Sequence, residues 1–276
     1  MIRFIVDSTF GITEEFAKKE NIKVVKLKMM LDNETTEEGF PNEWSTFYEK
    51  LISSKNFPKS SQPSPQAFID AIEEIYKEDK NAEIIILTIA EFLSGTINSA
   101  RLAAKSFENK NIFAIDTGAV CACSCMMLEE LIELAKNGAT FEELKVVAPK
   151  IKEKLQIQFV PSTMEYLKRG GRIGKLSATL LDVLKIKPIF LFKNNEISVT
   201  KKTIGLSRAI ADAVSALPKK IKRISACYIY DKSNLGLLIS KLKSKIHQKI
   251  EEFSVSPMFG VHVGVGSVGI ATLEEY

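Results

Sequence analysis

The apolar positions of this chain follow two spacings in turn. Short β-branched runs give way to stretches with apolar residues three and four apart, which predicts strands alternating with helices. The run 82–87, Ala-Glu-Ile-Ile-Ile-Leu, reads as a buried strand, and 96–107 has helical spacing, so Ser94 and Gly95 fall at a strand-to-helix edge. The order recurs. A strand at 2–6 delivers Asp7-Ser8-Thr9 to a turn before a helix opened by Thr13-Glu14-Glu15, and a strand at 112–115 ends in Asp116-Thr117-Gly118 before a helix over 120–136. Repetition of this kind argues for a parallel sheet with right-handed crossovers, in which ligands bind beyond the carboxyl ends of the strands. Between these units, 22–25 and 26–31 read as strands, Asp32-Asn33 as a turn before a polar run, and 44–52 as a helix. In the loop Ser60-Ser61-Gln62-Pro63-Ser64-Pro65, Ser64 is placed to cap the next helix with Pro65 at its first position, which leaves Ser61 free to point elsewhere.

Past a helix over 140–155 the pattern changes to strands at 156–161, 186–192 and 196–200, a helix at 204–217, a strand at 224–230, a helix at 235–250, and strands near 253 and over 267–272. The turn Lys193-Asn194-Asn195 indicates antiparallel pairing, so this half reads as α+β.

Composition narrows the function. A chain of 276 residues, 45% hydrophobic and 26% charged, suits two globular domains. No apolar run approaches the roughly 18 residues of a membrane span, and the first residues read as a strand rather than a signal peptide, so a cytoplasmic location is expected. The net charge of +4 is spread over dispersed lysines, which fits a solvated face and not a nucleic-acid stripe. Cys121, Cys123 and Cys125 alternate on an expected helix, where positions two apart face different ways and cannot share a metal; with Cys227 they read as small core residues in a reducing compartment.

Two motifs fail on context. Gly264-Val265-Gly266-Ser267-Val268-Gly269 has the letters of a dinucleotide fingerprint, but a strand follows and only seven residues remain, leaving no room for the acidic ribose partner. Ser94, His262 and Asp116 can be drawn as a hydrolytic triad, yet Phe92-Leu93-Ser94-Gly95 lacks the glycine that a nucleophile elbow needs two residues before the serine. Two features keep their interest. Ser94 and Gly95 at a helix N-terminus offer an anion site, against the plainer reading in which Ser94 only caps its helix. His262, one of two histidines, stands in a glycine-rich stretch read as a loop, while His247 sits among lysines on a helix surface.

Six stretches then resemble, in order and over the whole chain, the signatures of the DegV family: Asp7-Ser8-Thr9, Ser61-Gln62-Pro63-Ser64-Pro65, Leu93-Ser94-Gly95-Thr96, Tyr166-Leu167-Lys168-Arg169-Gly170-Gly171-Arg172-Ile173, Lys185-Ile186-Lys187-Pro188 and His262-Val263-Gly264. The resemblance implies an α/β fold of two domains. A Rossmann-like parallel-sheet domain, 1–155, would carry the carboxylate-binding serines, and an α+β domain with an antiparallel sheet, 156–276, would cover the acyl chain. It implies a long-chain fatty acid as ligand, no cofactor, no catalytic centre of the protein's own, and a fatty-acid kinase as partner. That kinase phosphorylates the presented carboxylate for entry into phospholipid synthesis. Ser94 matches the serine that holds the carboxylate, Ser61 stands where the family usually has threonine, and His262 matches a histidine near the carboxylate; Gly95 and Thr96 complete that site. Val263 and Val265 replace the usual threonine and proline, and the cysteine-rich stretch after Thr117-Gly118-Ala119 replaces a serine-rich one. Arg172, on a cationic glycine turn, is expected to meet the partner or the transferred phosphate, and the apolar stretch 176–184 to cover the tail. A serine esterase or thioesterase using Ser94 and His262, or a lipid-sensing regulator without a kinase, stand as alternatives.

Overall fold

The computed structural model describes residues 1–172 and 186–276; the stretch expected to cover the tail, 176–184, and the motif residues Ile173, Gly174 and Lys185 lie outside the described residues. In chain order the first half comprises β1 (Ile2–Asp7), α1 (Glu14–Lys19), β2 (Lys23–Val25), β3 (Lys28–Leu31), β4 (Glu34–Glu37), α2 (Trp44–Ser53), β5 (Lys59–Ser61), α3 (Pro65–Glu78), β6 (Glu83–Thr88), α4 (Thr96–Lys105), β7 (Ile112–Asp116), α5 (Ala122–Lys136) and α6 (Phe141–Lys154). The second half comprises β8 (Leu155–Val160), α7 (Glu165–Gly170), β9 (Ile186–Lys193), β10 (Glu196–Ile204), α8 (Leu206–Ser215), β11 (Ile221–Tyr228), α9 (Leu235–Lys243), β12 (Glu251–Ser254), α10 (Pro257–Val263) and β13 (Val268–Glu274).

Strands β2-β1-β6-β7 form a parallel sheet. Its central strand β6 is apolar on both faces because helices cover both. In β6, Ile84 and Ile86 join Phe68, Ile72 and Ile75 of α3 and Ala100 and Ala103 of α4 in one buried cluster, while Ile85 and Leu87 join the main core with α5 and α6. The expected cap of α3 is present: Ser64 Oγ accepts from the Ala67 N–H at 3.3 Å, with Pro65 in the first turn.

Strands β10-β9-β8-β13-β11-β12 form the second sheet, antiparallel except for the parallel pair β11–β12. One face buries Ile210 and Val214 of α8 and Leu238 of α9. The other contributes Ile157, Phe192, Cys227 and Leu273 to the core shared with the first half.

Local expectations needed correction in several places. The helix expected over 235–250 ends at Lys243, so His247 lies beyond it and not on a helix surface. The polar run after Asp32-Asn33 is a strand, β4, because those two residues at φ 51° and 65° make a tight hairpin with β3. With β5 these strands form a third, small sheet, so Ser61 ends a strand instead of sitting in a loop. His262 lies in the last turn of α10 and not in a glycine loop; Pro257 opens that helix after Ser256, the same signal that starts α3.

Candidate functional site

A cavity of about 420 Å³ lies between the second sheet and the carboxyl edge of the first, within the size range of small-molecule sites. Most of its wall is apolar: Leu27, Ile89, Leu93, Ile157, Phe159, Phe192, Ile197, Ile229, Val255, Met258 and Phe259 face it. The cross-strand row Phe159–Gly269–Cys227–Phe253 sets two small residues between two phenylalanines, and a Cβ on Gly269 would crowd the Gln158 carbonyl oxygen at 3.0 Å. Polar groups gather at one end, where Ser60, Ser61 and Gln62 from the end of β5, Ser94 and Gly95 before α4, His262 of α10 and Arg172 meet.

Ser94 does not cap α4. Gly95 occupies the cap position and the Ser94 hydroxyl instead lies 2.8 Å from Thr96 Oγ1. Thr96 is fully buried and does not line the cavity; it braces Ser94 from behind. A Cβ on Gly95 would displace the end of the Gln62 side chain, which is held by a 3.1 Å bond from its Nε2 to Ser99 Oγ. The His262 Nε2 pairs with Ser60 Oγ at 2.8 Å, while its Nδ1 is buried, unpartnered and packed against Gly170. Burial and the nearby Arg172 charge lower its pKa to about 4, so the imidazole is neutral near pH 7. Arg172 is exposed at the rim, its Nη1 donating to the Gly170 carbonyl at 2.7 Å.

The drawn triad does not assemble: Ser94 pairs with Thr96, His262 with Ser60, and Asp116 with Lys152 and Asn195. Ser60 was invisible as a histidine partner because 202 residues separate the two. Two buried carboxylates behind the wall were also missed as a unit. Asp7 accepts from the Ile89 N–H at 2.7 Å and from Thr9, and Glu38 accepts from the Met258 N–H at 2.8 Å and from Ser8 Oγ at 2.7 Å. Each thus fixes the backbone of a wall residue, and burial pushes Asp7 up to about 6 and Glu38 up to about 7. Cys121, Cys123 and Cys227 are buried and Cys125 half-buried, all four free; Cys121 and Cys227 also face the cavity. Among the described residues no cluster of three or more His, Cys, Asp or Glu could hold a metal, and no helix is long and apolar enough to cross a membrane.

Residues 1–275 match a family model described as an uncharacterised protein of the DegV family. A DegV domain-containing protein of Clostridium perfringens is 30% identical over 283 residues, covering 99% of each chain. Among solved structures, a DegV lipid-binding protein from Thermotoga maritima is 25% identical with a TM-score of 0.88, covering 100% of this chain and 99% of its own. A DegV family protein from Thermus thermophilus, described by its fatty-acid binding, is 26% identical with a TM-score of 0.87 and covers 99% of both chains.

Proposed function

The chain belongs to the DegV family, and on that premise we propose that it binds a long-chain fatty acid in the cavity between its sheets and presents the carboxylate to a fatty-acid kinase. The observation that carries this reading is the cavity's asymmetry, an apolar length closed at one end by Ser60, Ser61, Gln62, Ser94 and His262. Each buried methylene of a tail contributes about 0.8 kcal/mol, so affinity comes mostly from the wall while hydroxyls orient the head. With His262 neutral, the head is held by hydrogen bonds more than by charge, which suits a group that must be handed on. In this reading Ser61, Ser94, Gly95 and His262 form the carboxylate seat, Thr96 steadies Ser94, and the exposed Arg172 faces the kinase or the phosphate being transferred. Residues 1–155 and 156–276 act as the two domains closing on the ligand, the protein works in the cytoplasm without cofactor, and the chemistry belongs to the kinase. The absence of a Ser94–His262 bond speaks against the esterase reading.

Ser94→Ala tests the seat. A hydrogen bond to a charged group is worth about 1.5–3 kcal/mol, so palmitate should bind at least several-fold more weakly, while hexadecanol should be nearly indifferent. Equal losses for acid and alcohol in a titration would overturn the head-group assignment. Absence of fatty acid from extracts of the purified protein, together with no binding of added palmitate, would overturn the ligand.

A further inference from the structure

Asp116 ends β7 at the carboxyl edge of the parallel sheet, beside the segment 89–95 that leaves β6 and carries Ser94. Its carboxylate is filled. Oδ1 accepts from the Glu91 N–H and from the Gly118 N–H, each at 2.9 Å, and Oδ2 accepts from Lys152 Nζ at 2.8 Å and Asn195 Nδ2 at 2.5 Å. Four donors use the roughly four acceptor sites of an ionised carboxylate. Burial alone would raise its pKa, but the bonds from Lys152, Asn195 and Gly118 outweigh that and hold it below the usual carboxylate range.

The four donors come from different parts of the fold. Glu91 lies three residues before Ser94, whereas Asn195 is the second residue of the two-residue turn joining β9 to β10, in the other sheet. Those strands supply Phe192 and Ile197 to the cavity wall. A second contact follows the same line, since Phe92 of the Ser94 segment packs on Phe192 with ring centroids 6.3 Å apart. Neither Asp116 nor Asn195 lines the cavity.

We infer that Asp116 is a positioning residue for the Ser94 segment and that its bond to Asn195 makes the order of that segment depend on the β9–β10 hairpin being docked over the cavity. The carboxylate seat is then complete only when the second sheet is closed, and lifting the hairpin tip loosens head and tail together. The coupling is a property of the protein alone; its consequence for release rests on the fatty-acid reading above.

Asn195→Gly isolates the bond. Asn195 sits at φ 62°, where glycine is unstrained, and its N–H to the Gly118 carbonyl, at 3.3 Å, is kept. Asn194→Gly, at φ 49°, is the control for a looser turn. Amide hydrogen exchange on delipidated protein should rise about three- to tenfold at Glu91 and through 91–94 in Asn195→Gly, and not in Asn194→Gly. Palmitate should leave Asn195→Gly several-fold faster than wild type. Unchanged exchange at 91–94, or a rise spread uniformly over the chain as general destabilisation gives, would overturn the coupling. A rise in exchange with an unaltered palmitate off-rate would overturn the positioning role. Failure of wild type to bind palmitate would overturn the fatty-acid reading instead, and the exchange comparison would still decide the coupling.

Discussion

Replacing Glu38 by glutamine should make the protein's stability less sensitive to pH, in a direction fixed by burial. Glu38 is 1% exposed, and taking its carboxylate out of water raises its pKa from 4.5 to about 7, with the charge of Asp7 adding to the effect and the bonds from Ser8 and the Met258 N–H opposing it. The other titratable groups near it are Tyr48 and Cys121, both pushed up by burial and therefore neutral at these pH values. A carboxyl with a folded pKa above its unfolded one takes up a proton on folding. Its contribution is therefore present in full below pH 4.5 and is lost as pH rises through 7. At 1.36 kcal/mol per pH unit the whole displacement is worth about 3 kcal/mol, of which about 2 to 3 falls between pH 5 and 8. Glutamine keeps an acceptor for the Met258 N–H and cannot ionise. Urea denaturation of both proteins at intervals from pH 5 to 8 should show the difference, variant minus wild type, moving in the variant's favour by that amount. A flat difference, or one moving against the variant as pH rises, would refute the argument.

The sequence made the frame of the fold legible where one local feature decides the outcome. The run Ile84–Ile85–Ile86–Leu87 has no polar side for water and reads as a central parallel strand, and Ser64-Pro65 marks the start of α3 with a cap that forms. Ser94, Ser61 and His262 were found, and the fold brings them to one cavity. What was missed depends on partners far along the chain. Helix α10 begins with the same Ser-Pro signal as α3, but its seven residues are too few to show a helical period, and Gly260 in its middle weakens the pattern. The glycine is there because Tyr48, more than two hundred residues earlier, packs on it. Glu38 stands in Glu37-Glu38-Gly39, which reads as a solvated acidic turn; only the backbone of Met258, brought against it by the second half, makes it a buried acceptor. Asp116 is legible as a strand-end residue at the carboxyl edge of the sheet, but its donors Glu91, Gly118, Lys152 and Asn195 come from separate parts of the chain that no local pattern joins.

Two further outcomes check the packing behind the cavity. Gly260→Ala places a Cβ 2.6 Å from Tyr48 Cε1, against a buried ring whose hydroxyl donates to the Val255 carbonyl at 2.8 Å, so overpacking should cost about 1–3 kcal/mol. A thermal midpoint equal to wild type would show that the ring gives way freely. The cysteines should separate by position when native protein is treated with iodoacetamide and read by peptide mass spectrometry. Only the thiolate reacts, and burial raises all four thiols, Cys227 to about 12, so labelling should be slow throughout and earliest at the half-buried Cys125. Bound palmitate should then protect Cys121 and Cys227, which face the cavity, more than Cys123, whose Sγ turns away to the Gln156 carbonyl at 3.2 Å. Protection of Cys123 equal to that of the other two would mean that palmitate acts by tightening the whole fold and not by filling this cavity.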